Sequence, residues 1–337
     1  MSRLKLLFLS TRAGRPSYRY RVEQMLPHFR HEGHQCDVRF FRKNILSRLL
    51  QYRDVSKYDV VFIQKRLLDP FELALLRRWS RRLIFDVDDA IMFDTHGNAD
   101  ARRQRRFGAM MRAADLVVCG NGYLADQATR FGGQTLIVPT AIDTERFRQR
   151  PDVAVPDPAK PTVIGWTGSR STTRYLDSTF PVLARLRGNI ELKIISDTTD
   201  GLDFDRLGKL PYRFVPWSAE TEVSETAEFD IGLMPLPDNS MTRGKCGCKA
   251  LQYMALGIPA VCSPVGVNND IIQDGTNGFL PQTTDDWLAV LQSLTDHPQQ
   301  RTAIGQAGRQ TAEDRYSLSR IARQLASAIE QSRRATG

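Results

Sequence analysis

The stretch GKCGCKALQYMALGIPAVCSPVGVNNDIIQDGTNGFLP (244–281) decides how this chain is read. Glycines and lysines lead into an apolar-periodic run, a short β-rich segment follows, and a second glycine-rich turn closes the unit. Leu251, Met254, Ala255 and Leu256 recur at helical spacing and predict a helix over 246–256. Gly257 ends that helix and Pro259 excludes its continuation, so AVC (260–262) becomes the next strand. Helix followed at once by strand is one unit of an α/β domain. The free N–H groups and positive end of such a helix suit a phosphate. Lys245 and Lys249, four residues apart, are expected on one side of its first turns, where they would add full charges. A phosphate-bearing ligand is inferred at this point; a solvated basic helix start is the plain alternative.

Outward from that unit, short apolar runs alternate with amphipathic stretches along the whole chain, the pattern of parallel sheets covered by helices. In the first half strands are expected at 4–10, 36–41, 59–64, 82–87, 115–120 and 135–139. In the second they are expected at 162–168, 191–196, 212–217, 230–235, 259–263 and 278–281. The fold class is therefore α/β, with two Rossmann-like, doubly wound domains facing across a cleft where ligands of such folds bind. The N-terminal domain is placed at 1–155 and the C-terminal one at 156–315. A final helix, 316–337, carries Leu318, Ile321, Ala322, Leu325, Ala328 and Ile329 at helical spacing and is free to pack back on the first domain. RPDVAVPDPAKP (150–161), with four prolines, reads as an extended linker.

At 337 residues the chain exceeds one ordinary core. Its hydrophobic and charged content, 41% and 25%, is that of a globular protein rather than a disordered one. No apolar run approaches the roughly 20 residues that span a bilayer. The start, MSRLKLLFLSTRAG, has too short an apolar core for a signal peptide and is read as a strand. Cys36, Cys119, Cys246, Cys248 and Cys262 are scattered and odd in number, which fits reduced thiols in a cytoplasmic protein. Cys246 and Cys248 have no partnering cluster at ligand spacing, so no metal is expected. Charge is uneven: residues 1–155 hold 28 Lys and Arg against 17 Asp and Glu, a net of +11, and the rest holds 19 against 21. A basic half beside a near-neutral half implies a directional interaction with something anionic, such as a membrane surface, lipid-linked phosphate or nucleic acid. A solvated arginine-rich surface remains the plain reading.

Several residues stand out individually. Gly14, in STRAGRPS after the first strand, lets backbone approach a ligand or simply makes a turn. FDVDDAIMFD ends a strand in Asp86, Asp88 and Asp89. If the strand continues, alternation puts Asp86 and Asp88 on one face and Asp89 on the other. Asp88 or Asp89 is the catalytic candidate, orienting an acceptor hydroxyl or taking its proton, with helix capping as the alternative role. Trp217 follows a strand end, where it would stack on a base or be buried. His28, His31 and His34 suggest zinc, but their spacing more simply runs along one helix and its exit.

Taken together, these segments resemble the nucleotide-sugar-dependent glycosyltransferases of the GT-B fold, family four type (glycosyl transferases group 1). ADLVVCGNGYLADQA (114–128) with LIVPTAIDTERF (136–147) is similar to the close of that family's N-terminal domain. IGWTGSRSTTRYL (164–176) looks like the first strand and phosphate loop of its C-terminal domain, and 243–280 resembles its donor signature. SYRYRVEQMLPHFRHEGHQCDV (17–38) is similar to its first helix. The resemblance implies a hexosyltransferase-type enzyme that retains anomeric configuration and needs no metal or cofactor, with basic groups stabilising the leaving diphosphate. It implies a nucleotide-sugar donor, UDP- or GDP-linked, on the C-terminal domain, and an acceptor on the N-terminal one. With the basic first half, the expected setting is polysaccharide, cell-surface glycan or glycolipid biosynthesis, in the cytoplasm or at the inner face of the membrane.

The donor site is expected to comprise Gly14 and Trp217, from their places at strand ends, with Gly168, Arg170 (or Ser169), Arg174, Asp238, Gly244, Lys245, Lys249 and Gln252. The family usually has two glutamates in the donor motif; here Gly244 and Gln252 stand at those positions. Gln252 still offers hydrogen bonds to a ribose, without charge. Gly244 offers none, and Asp238 is the substitute suggested for the sugar contact. A non-catalytic sugar-nucleotide-binding partner of the same fold is the rival reading that these departures motivate. A nucleic-acid-binding protein is a third, but the chain shows no module for reading a sequence, so no specific nucleic acid is expected.

Overall fold

Runs such as LLFLS and VVFIQ are apolar at nearly every position, which suits strands covered on both faces, and parallel sheets are buried in that way. The computed structural model describes residues 3–148 and 160–331. In chain order its strands are β1 (Lys5–Ser10), β2 (Gln35–Phe40), β3 (Val60–Gln64), β4 (Leu83–Val87), β5 (Leu116–Cys119) and β6 (Thr135–Ile137). They continue with β7 (Thr162–Thr167), β8 (Ile190–Ser196), β9 (Tyr212–Pro216), β10 (Ile231–Met234) and β11 (Ala260–Cys262). The helices are α1 (Pro16–Arg21), α2 (Leu26–His31), α3 (Ile45–Gln51), α4 (Pro70–Trp79), α5 (Ala101–Ala113), α6 (Gly122–Arg130) and α7 (Thr173–Asp177). After them come α8 (Phe180–Leu183), α9 (Glu222–Thr226), α10 (Cys248–Ala255), α11 (Asn268–Ile271), α12 (Thr284–Asp296), α13 (Pro298–Tyr316) and α14 (Leu318–Gln331).

The chain divides into two units. The first runs to Ala141 and adds Asn239–Cys246 and the chain from Leu318 on; the second comprises Ile142–Asp238 and Gly247–Ser317. The first unit holds a six-stranded sheet in the order β2-β1-β3-β4-β5-β6, parallel throughout. One core cluster joins Leu7, Phe85 and Val117 to Phe107 and Met111 of α5. A second joins Phe8, Phe62 and Ile84 to Phe29 of α2 and to Ile321, Leu325 and Ile329 of α14. The last helix thus covers the sheet of the first unit. The second unit has five parallel strands, β11-β10-β7-β8-β9, over a core of Trp166, Phe180, Leu192 and Leu291.

Two expectations change, and a third lies mostly outside the described residues. No sixth strand forms at 278–281: Phe279 makes one parallel bridge to Val261, and Gly275 and Asp274 turn the chain back at once. The first unit ends at Ala141 rather than 155, because 142–147 is tied into the second unit. Ile142 N donates to Tyr316 O at 2.9 Å, Arg309 donates to Thr144 O at 3.0 Å, and Arg146 to Ala219 O at 2.8 Å. The expected linker at 150–161 lies mostly outside the described residues.

Leu325 is about as buried as any residue of α14, so Leu325→Ala should cost about 3 kcal/mol in the chemical unfolding of the first unit, by lost transfer energy and a residual cavity. Exposed Arg323→Ala on the same helix should leave the midpoint nearly unchanged.

Candidate functional site

In the first unit the ends of β1, β3 and β4 bring polar groups together. Ser10 Oγ donates to Gln64 Oε1 at 2.8 Å, both side chains being buried. Lys65, one residue past β3, sits in the left-handed region with φ 52°, which costs a non-glycine residue about 1 kcal/mol. That backbone is held by Lys65 N donating to Asp86 O at 2.9 Å. From it the ammonium reaches Ser17 Oγ at 3.4 Å, Asp88 at 3.3 Å and Asp89 at 3.1 Å. Lys245 Nζ lies 3.1 Å from both oxygens of Asp89.

Asp86 takes no part in this. It is fully buried and paired with Arg21 Nε at 3.1 Å, whose guanidinium also donates to Val138 O. The strand does not continue: β4 stops at Val87, the chain turns, and Asp88 and Asp89 converge on Lys65.

The charges follow from these contacts. Burial alone would lower the Lys65 ammonium, but Asp88 and Asp89 more than offset it and hold it above the ordinary lysine range. Burial would raise Asp89, yet Lys65 and Lys245 keep it below the usual carboxylate range. Asp86 is pushed up to about 6 by complete burial, which Arg21 only partly offsets. Asp88 has one of these partners: its buried Oδ1 faces the Lys65 ammonium at 3.3 Å. Asp89 is thus paired with two ammonium groups and Asp88 with one.

The segment before α10 packs here rather than extending that helix. Asn121 Nδ2 donates to Lys245 O at 2.9 Å, and the Cys246 thiol donates to Asp88 O at 3.2 Å. Burial raises that thiol's pKa, which leaves it a packing group rather than a nucleophile. A Cβ on Gly244 would meet Ala90 N at 2.8 Å, so no side chain fits where the family usually has a glutamate. The helix begins at Cys248, after Gly247 at φ 68°, where a Cβ would strike Ile271 at 2.2 Å. Lys245 and Lys249 therefore do not share a helical face: Lys245 lies before the helix, on Asp89.

In the second unit the other expected residues fall around the ends of β7–β10. Lys249 Nζ lies over the buried Trp166 ring, 5.5 Å from its centroid. Gly168 packs on the same ring, a Cβ there coming within 2.3 Å of it, and opens the loop to α7. Arg170 N donates to Asp197 Oδ1 at 2.9 Å, and its exposed guanidinium pairs with Asp200 at 2.9 Å. Arg174 lies over Tyr175, 5.0 Å from that ring's centroid. Trp217 is half-buried at the end of β9, and Asp238 is exposed after β10. Gln252 is buried, and its amide donates to Glu222 Oε1 at 3.1 Å; Glu222 is buried too and faces Arg146 at 3.4 Å. Gly14, at φ 73° with nothing within 4 Å of its absent Cβ, makes a turn in open space at the end of β1.

The structure thus brings Asp88, Asp89 and Lys245 together, and separately Gly168 and Lys249. Sequence reasoning missed Lys65 and Glu222. A lysine ending an apolar strand (VVFIQK) was the available hint for the first; nothing local marks the second. His28 and His31 lie on α2, and His34 Nδ1 accepts from Leu4 N at 3.3 Å. Asp89→Asn should remove about 2 kcal/mol of stability by unpairing two lysines. Because Asp89 is held below the usual carboxylate range, its contribution is present above that range and lost as pH falls through it. The melting gap between the variant and the parent should accordingly be full at neutral pH and close in acid; a gap independent of pH would exclude the ion pairs as its cause.

Residues 162–297 match the family described as glycosyl transferases group 1. No curated protein matches the chain. Among solved structures, sucrose-phosphate synthase from Thermosynechococcus elongatus is 14% identical with a TM-score of 0.80, over 99% of this chain and all of that one. Anabaena HepE, in a complex with UDP and glucose, is 16% identical with a TM-score of 0.77, over 97% of this chain and all of that one. A mutant of S. aureus TarM, in a complex that includes UDP, is 13% identical with a TM-score of 0.65, over 85% of this chain and 59% of that one. These likenesses place the chain in the GT-B fold. The family match covers residues 162–297, most of them in the second unit.

Proposed function

We propose that the protein moves a sugar from a nucleoside diphosphate sugar, UDP-linked in the first instance, to an acceptor hydroxyl. The observation that carries this is the family match over residues 162–297, whose strand ends gather Gly168 and Lys249. The solved HepE complexes contain UDP or UDP-glucose, which supports the choice of nucleotide. In this reading Lys249 stabilises the diphosphate as it departs, and the loop opened by Gly168 lets backbone approach it. Arg170, Arg174, Trp217 and Asp238 stand at the same strand ends as further donor contacts. Gln252 is assigned to the ribose, its amide donating to Glu222.

Asp88 supplies the acceptor side, being paired with one ammonium group where Asp89 has two. Lys65 and Asp89 hold it in place. Transfer proceeds with retention and without metal, cations standing where a metal would neutralise the leaving group. The acceptor is a glycan or lipid-linked precursor carrying anionic charge, in keeping with the net +11 of residues 1–155, and the enzyme works at the inner face of the membrane.

Incubation with UDP-, GDP- and dTDP-sugars should release the matching nucleotide, slowly without acceptor and with chelator present. A donor that binds but is never turned over across a broad acceptor screen would instead mark a non-catalytic binding protein. Asp88→Asn should lower kcat by about 10²–10³-fold while UDP affinity by calorimetry stays unchanged. Lys249→Ala should weaken UDP binding by about tenfold, or 1.4 kcal/mol. If both variants bind and turn over as the parent does, these residues carry no part of the reaction.

A further inference from the structure

Among the described residues seven large hydrophobics are exposed, and four of them, Phe40, Ile45, Leu46 and Leu50, lie between positions 40 and 50. Leu46 is 72% exposed and Leu50 51%. One turn apart on α3, they share one face of that helix. The opposite face is fixed by buried charge. Arg48 donates through Nε and Nη2 to Glu72 of α4, at 2.6 and 3.0 Å, and Tyr52 Oη donates to the same carboxylate at 2.6 Å. Leu49 packs on the core beside them. The helix is therefore locked with its arginine inward and two leucines outward, and no rotation hides the leucines while Glu72 keeps its partners.

The surroundings are cationic. Arg48 Nη1 also donates to the carbonyls of Arg42 and Lys43, at 3.2 and 2.9 Å, which pins the loop that bears those two exposed side chains. Arg53 and Lys57 follow, also exposed, while the single acid of the segment 39–57, Asp54, is taken up by Arg39 at 2.6 Å. Strand pairing puts Ser10 beside Phe40, and the Tyr18 and Phe40 rings meet at 5.1 Å. The β1 loop, with exposed Arg12 and Arg15, thus leaves the same end of the sheet.

We infer that α3 and the loop before it form a docking surface for an anionic lipid bilayer, with Ile45, Leu46 and Leu50 entering the acyl boundary and Arg42, Lys43 and Arg53 meeting the headgroups. The charge decides among occupants. A second copy would set two cationic patches against each other. Nucleic acid would satisfy the cations and leave the leucines in water. An anionic membrane satisfies both, the apolar contact and the attraction reinforcing one another. This deepens only the membrane part of the proposed function and is independent of the donor chemistry.

The test is co-sedimentation of the full chain with phosphatidylcholine vesicles, with and without phosphatidylglycerol, and with no sugar nucleotide present. The protein should pellet with the anionic vesicles, progressively less as salt rises, and hardly at all with phosphatidylcholine alone. The double variant L46S/L50S should bind at least about tenfold more weakly. R42E/K43E, which touches no apolar contact, should lose about fivefold or more per charge. Both alter exposed side chains, so their melting and any nucleotide release from a donor in the presence of soluble acceptors should match the parent. No binding by the parent, or equal binding by L46S/L50S, overturns the assignment. So does a concentration-dependent dimer that L46S/L50S abolishes in the absence of vesicle binding, which would give the face to a second copy.

Discussion

Two adjacent carboxylates at the end of a parallel strand are the constraint on which the first unit's site rests. Asp88 and Asp89 leave β4 where the neighbouring strands also end, and their mutual repulsion in partly buried surroundings must be offset locally. Lys65 offsets it from β3, at the cost of a left-handed backbone that few lysines adopt. Lys245 completes the pairing from a segment more than 150 positions away in sequence. That ion pair, with Asn121 on the Lys245 carbonyl and Cys246 in the core, accounts for why 239–246 belongs with the first unit rather than with the helix that follows it.

The same packing explains the departure at Gly244. A glutamate there would need space already occupied by the backbone of Ala90, and a shift of Ala90 would move Asp89 beside it. In the second unit the replacement of carboxylate by amide at Gln252 is matched by a buried carboxylate on α9. Glu222 receives the Gln252 amide on one oxygen and faces Arg146 with the other. An amide can bridge two acceptors where a glutamate beside Glu222 would set two buried negative charges together. Glu222 thus gives a physical reason for glutamine at 252.

The sheets were readable because strands covered on both faces must be apolar throughout, and runs such as VVFIQ and LIFDV leave no other assignment. Alternation does not reach Asp88 and Asp89, since it holds only while the strand continues and β4 ends at Val87. GFLP failed as a strand because a glycine turn and one bridge suffice to place Phe279. The placing of Lys245 on a helix failed for another reason. Its partner is distant in sequence, and neither periodicity nor spacing carries information about an ion pair closed by the fold. Lys65 and Glu222 were invisible on the same ground: their roles are defined by what faces them, not by their neighbours in the chain.

Helix α3 reverses the usual partition, burying an arginine while exposing two leucines. Full burial of a leucine is worth about 1.5–3 kcal/mol over leaving it in water, so the folded unit alone gains nothing from this arrangement. Exchanging leucine and arginine between the faces would not relieve it, because Glu72 is itself buried and would then lie without a cation, at a cost of about 3–5 kcal/mol. The buried carboxylate therefore dictates the inward arginine, but it places no demand on positions 46 and 50, where any polar residue would satisfy the helix and the solvent. What remains for those leucines to satisfy lies outside the unit, and the cations arranged around them give that outside contact its sign.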